Sequence, residues 1–160
     1  MRMMIAGPGQ TGLPKTIMAF FYGYFLLHWA TGILMFREKI GFACTDVTRY
    51  YLGDQEMFIN PRSFEGLLEV THFHLFAMGL FFVIFTHLLM FTGLRDSIKQ
   101  SLTWLLAVAI IADLAAGYLV RFAAPAFAWL KLGAFWMLQG VSLALFVALI
   151  VGMFKWRGGD

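Results

Sequence analysis

Charge is what this sequence has least of. Only 13% of its 160 residues are Asp, Glu, Lys or Arg, where soluble domains carry about a quarter. From Val70 to Leu94 there is none at all. That shortage excludes a soluble globule with an ordinary solvated surface. The formal net charge is +3, and the basic residues sit at the ends of apolar runs, so nothing argues for nucleic acid as a partner. Cysteine is almost missing as well. Cys44 stands alone, which excludes an internal disulfide and any thiolate-built zinc or iron–sulfur motif.

What replaces charge is apolar length. Hydrophobic residues make up 61% of the chain and the mean hydropathy is +0.76. Residues 1–15 are rich in Gly and Pro and read as an irregular lead-in. The run that follows is too long for the core of a secretory signal and ends in Met35-Phe36-Arg37, so it reads as a retained first span. Spans are expected at about 16–36, 68–94, 100–120 and 132–154, each near the roughly 20 residues a bilayer requires. Backbone groups inside lipid must pair within their own segment, so these spans are helices.

The expected fold is therefore all-α: an integral membrane four-helix antiparallel bundle forming a single transmembrane domain over 1–160. Arg95-Asp96-Ser97-Ile98-Lys99 is a tight polar turn, and the stretch broken at Pro125 is another. Trp129 and Trp156 fall at span ends, as interfacial aromatics do. Both termini then lie on one side. Each side carries six basic residues, so the positive-inside rule does not choose between orientations; the termini are assigned to the cytoplasm of a bacterial inner membrane. The substantial loop, 37–65, would lie opposite. In it Thr45 is placed to cap a short helix that stops at Gly53. Tyr50, Tyr51, Met57 and Phe58 suggest a loop lying against the membrane surface or a partner. Pro61-Arg62-Ser63-Phe64-Glu65 reads as a helix start.

Polar residues inside the spans carry the functional argument, because each is expensive in lipid unless partnered. Three of the four histidines, His72, His74 and His87, fall in the charge-free second span, and the fourth, His28, in the first. At 1.5 Å per residue His28 lies about 13 Å in from the loop side, and Asp113 and Gln139 each about 12 Å in. His72 and His74 enter from that same side. His87 belongs to the opposite half, about 20 Å along its helix. On a helical wheel His72, Gly79 and His87 share nearly one face, while His74 is about 160° from His72. A glycine there lets a flat macrocycle approach the backbone.

This pattern of two histidines with a glycine between them, plus His28 in another span, resembles membrane b-type cytochromes. Quinone-linked cytochrome b subunits and cytochrome b561-like four-helix proteins are the relevant cases. The resemblance covers the spacing in residues 72–87, His28 and the four-span layout. It implies bis-histidine ligation of one haem b by His28 with His72 or His74, and a second haem only if a partner chain, a second copy or a methionine faces His87. It also implies electron transfer between quinone or quinol and a redox partner on the loop side, within a homodimer or a larger oxidoreductase complex. Arg121 and Lys131 are candidate partners for haem propionates. Asp113 is a candidate proton carrier or a group that orients a histidine ring. Glu65 and Glu69 are candidate acceptors of quinol protons.

Three other readings compete. Copper or zinc bound by His72 and His74 is disfavoured, since i and i+2 diverge on a helix. A haem-free scaffold subunit would use its polar layer only to fix helix packing. A small transporter would use Asp113 and the histidines as a proton or metal relay.

Overall fold

A computed structural model describes residues 13–155 of the chain, with side chains over residues 16–151. Trp156, most of the lead-in, and the terminal Arg2 and Arg157 of the charge count lie outside the described residues. The chain is all-α and built for a membrane. Five helices follow in order: α1 Leu13–Lys39, α2 Cys44–Leu52, α3 Phe64–Met90, α4 Asp96–Phe122 and α5 Ala128–Lys155. A 3-10 turn, Pro125–Phe127, precedes α5. Four helices are long and apolar enough to cross a bilayer: Thr16–Lys39, Phe64–Met90, Asp96–Phe122 and Pro125–Val151.

The described residues form two compact units, divided between Glu38 and Lys39. The first is helix α1 as far as Glu38, whose stretch from Thr16 to Phe36 carries no charged residue. In it Thr31 donates its hydroxyl to the carbonyls of Leu27 and His28, at 2.7 and 3.0 Å, which satisfies a polar side chain within its own helix.

The second unit is built on the pairing of α4 with α5. Each contributes small residues where the backbones approach. Ala109, Ala116 and Gly117 of α4, and Ala134 and Ser142 of α5, are all buried. In lipid there is no hydrophobic drive to associate, so close backbone contact through small residues has to supply the attraction. Leu106, Val120, Leu145 and Leu149 complete this core. Helix α3 joins it through Leu67, Phe85 and Leu89.

The ends of these helices differ from the expected ones by a turn or so, because helices continue past charged residues into their terminal turns or stop short of them at a polar turn. The α3 helix starts at Phe64, capped by Ser63, whose hydroxyl accepts from the Gly66 amide at 3.0 Å. Asp96 and Lys99 belong to the first turn of α4, and Lys99 reaches back to the Met90 carbonyl at 3.2 Å, closing the α3–α4 turn. On α5 the start is Ala128, so Lys131 lies inside the helix rather than at its edge.

The loop also differs. Ala43, not Thr45, is the residue before α2, and its amide donates to the Asp46 carboxylate at 3.2 Å. Val47 and Tyr51 of α2 are buried against the chain itself. The loop is thus a fold-back cap on the ends of α4 and α5. Its tip keeps the expected outward apolar character: Met57 is 58% and Phe58 94% exposed.

Candidate functional site

Two of the buried polar residues of the second unit, Asp113 and Lys131, form an ion pair. Lys131 Nζ lies 2.7 Å from Asp113 Oδ1 and donates a second bond to the Asp113 carbonyl at 3.0 Å. Both side chains are about nine-tenths buried. Lys131 is therefore not a span-end cation open to a propionate, because its ammonium is already held by α4. Its position follows from hairpin geometry: Asp113 and Lys131 are placed symmetrically about the turn near 122, so an antiparallel α4–α5 pair brings them face to face. That symmetry was readable in the sequence. A lysine at the end of an apolar run looks like an interfacial anchor, which hides the pairing. For the same reason Gln139, half-buried and about 12 Å further along α5 than Lys131, does not share the level of Asp113.

Asp113 gives its carboxylate to lysine and not to a histidine of α3. Around the pair, α2 supplies Tyr51, whose ring is packed on the bare backbone of Gly117: a Cβ there would stand 3.0 Å from the phenolic oxygen. Burial pushes the Tyr51 phenol well above its ordinary value, the nearby Asp113 charge adds to the rise, and Arg62 opposes it. Tyr51 is therefore a neutral phenol at any physiological pH.

Further bonds fasten the loop side. Tyr118 of α4 lies with its hydroxyl 3.0 Å from that of Thr71 on α3. Arg121 donates from Nε to the Arg62 carbonyl at 2.7 Å and stacks on Phe122. Arg62 in turn covers the Tyr50 ring at 4.1 Å. Among the described residues Arg121, unlike Lys131, makes no ion pair with a carboxylate.

The histidines behave differently from the acid–base pair. His28, on α1, is exposed, as are His72, His74 and His87 on α3. Taking Leu67 as the zero of the wheel, the buried Phe85 falls at about 0° and Leu89 at about 40°, which defines the inner face of α3. Gly79, His72 and His87 lie at about 120°, 140° and 200°, on the outward face. No atom comes within 4 Å of a Cβ built on Gly79. The shared face of His72, Gly79 and His87 is thus turned away from α4 and α5.

His74 lies at about −20°, on the inner stripe. That stripe is closed at Leu67 and again at Phe85 and Leu89, yet His74 between them is exposed. Its Nδ1 sits 2.7 Å from the Val70 carbonyl. A carbonyl only accepts, so Nδ1 carries the proton, and in the neutral ring Nε2 keeps a free lone pair. This is the tautomer and the anchoring that an iron- or zinc-binding imidazole uses. Among the described residues His72 and His87 have only ring contacts, with Phe73 and Phe91. Among the described residues, no three of His, Cys, Asp and Glu gather as a metal-binding group.

A family model described as a transmembrane helical domain matches residues 41–159. No curated protein matches the chain, and no solved structure does.

Proposed function

The chain belongs to this family of transmembrane helical domains, and from the geometry of its histidines we propose that it is a haem b-binding membrane subunit for electron transfer. One observation carries the proposal: His74 stands exposed on an apolar helix with Nδ1 tied to the Val70 carbonyl, an anchoring that leaves the lone pair to Nε2 whenever the ring is neutral. An imidazole left with an unpaired nitrogen in lipid is costly, and a metal bond removes that cost. The flanking residues of its stripe, Met78, Phe81 and Phe85, are apolar, as the edge of a porphyrin requires.

The second axial imidazole is assigned to His28, which the sequence places in the same loop-side half of the membrane as His74. His72, Gly79 and His87 on the outward face are the place for a second haem or a second copy of the chain. With Lys131 held by Asp113, Arg121 remains the propionate partner. Bound haem would supply a one-electron couple whose potential is set by its axial ligands and burial. The chain's own part is to hold the rings, exclude water and present the loop cap to a redox partner, with quinone or quinol as the lipid-soluble donor or acceptor.

The test is optical. Purified protein, or protein loaded with haem during expression, is expected to show a Soret band and sharp reduced α bands. His74→Ala and His28→Ala should each remove them, whereas His72→Ala should leave one haem in place. A preparation that stays colourless and binds no added haem refutes the proposal. Retention of full haem content by His74→Ala refutes the ligand assignment.

A second reading has its own support. The buried Asp113–Lys131 pair fixes α4 against α5, which is what a haem-free scaffold subunit needs from its polar layer. A well-folded, colourless protein that co-purifies with other membrane subunits would favour it.

A further inference from the structure

Beside α2 the loop cap encloses a cleft of about 350 Å³, lined among others by Lys39, Asp46, Arg49, Tyr50, Ile59 and Arg62. All of these belong to the second compact unit. We propose that this cleft binds the phosphate of an anionic phospholipid headgroup.

Position is the first argument. Lys39 is the last residue of one span, and Arg62 stands just before the first residue of another. The cleft is therefore at the level of the membrane–water boundary, where headgroup phosphates lie. Basic pockets at this level are suited to anionic lipids.

The second argument is the state of the three cations. Lys39 makes no ion pair among the described residues. Arg49 uses Nε on Asp54 at 3.0 Å and keeps its two terminal nitrogens. Arg62 lies flat on Tyr50 at 4.1 Å, so its face is occupied while the donors along its edge are free. A guanidinium fixed by stacking presents a preorganised fork to phosphate oxygens. Of the acids nearby, Asp46 is turned to the Ala43 amide and Asp54 to Arg49 and to the amides of Glu56 and Met57. The positive charge is left facing the cleft.

The third argument selects a lipid over a soluble anion. The hairpin tip next to the cleft carries Met57, Phe58 and Ile59, all exposed, with Phe58 at 94%. Phe58 also has φ of 54°, a conformation disfavoured for a side chain of that size. The turn thus holds a large apolar ring outward beside a cationic cleft. Such a tip is at home among acyl chains just below the headgroups.

The experiment uses the full chain in zwitterionic nanodiscs, with native mass spectrometry counting retained lipids and thermal unfolding as a second readout. Wild type should retain and be stabilised by phosphatidylglycerol in preference to phosphatidylcholine. Each cation near a membrane surface is worth about five-fold in anionic-lipid affinity, so Lys39→Gln should weaken the preference about five-fold and Lys39→Gln with Arg49→Gln about thirty-fold. Lys39 has no ion pair to lose, so its single variant separates binding from folding. Arg95→Gln, at the opposite end of the helices, should change nothing. Phe58→Ser should weaken lipid retention. Stabilisation by inorganic phosphate alone, lost in Lys39→Gln and indifferent to Phe58→Ser, would support the phosphate site while overturning the lipid as its occupant. Equal retention of both lipids by wild type, or an unchanged preference in the double variant, overturns the proposal. The result does not depend on haem content.

Discussion

Lys131 and Asp113 are each affordable only because the other is there. An ammonium taken out of water loses far more than one hydrogen bond returns, so the pair holds through its two contacts to α4 together. Removing one partner leaves the other as a buried, unpaired charge. Asp113→Asn or Lys131→Met is expected to cost about 3–5 kcal/mol, read as a lower unfolding midpoint in detergent or nanodiscs. The double replacement Asp113→Leu with Lys131→Met should recover most of the loss, since an apolar pair of similar volume carries no desolvation penalty. Failure of the double variant to recover stability would mean that the pair does more than pack the helices together. The sequence marked Asp113 as a costly residue but not its partner. Lysines at the ends of apolar runs are usually anchors, and the long side chain of Lys131 allows it to point either way.

At the scale of elements, α2 is placed by a steric allowance rather than by its own propensity. It is nine residues long, too short to be stable alone in water. It stands because Val47 and Tyr51 are buried on the ends of α4 and α5, with Tyr51 lying on Gly117. Gly117→Ala would set a methyl 3.0–3.2 Å from the Tyr51 ring and hydroxyl. It is expected to destabilise the protein by about 1–3 kcal/mol through overpacking. Proteolysis of the loop should rise with it, since the cap is loosened first. If the variant melts as the wild type and its loop stays protected, Tyr51 is not what seats α2. The short helix and its stop at Gly53 were legible in the sequence and are found in the structure, but its seat on Gly117 was not. Tyr50 and Tyr51 are equally plausible as membrane-facing aromatics, and only the fold shows Tyr51 turned inward while Tyr50 supports Arg62.

For the whole molecule, four helices are long and apolar enough to cross a bilayer, and an even number of crossings predicts that the two ends of the chain share a side. Reporter fusions placed before Thr16 and after Lys155 should therefore give the same compartment, and a reporter inserted at the exposed 55–58 tip the opposite one. Opposite readings from the two termini would require one of the four helices not to cross. Composition and spacing were enough to determine an all-α integral membrane protein and to single out its polar residues, because a bilayer demands long uncharged helices and tolerates few polar groups within them. The assignment of faces was decided only by tertiary structure. Membrane helices are apolar all round, so no stripe in α3, α4 or α5 marks what points inward. Packing divides the histidines, with His72 and His87 outward and His74 on the inner stripe with its ring anchored. The same packing joins Asp113 to Lys131, because small residues bring α4 and α5 close enough for a lysine to cross the interface.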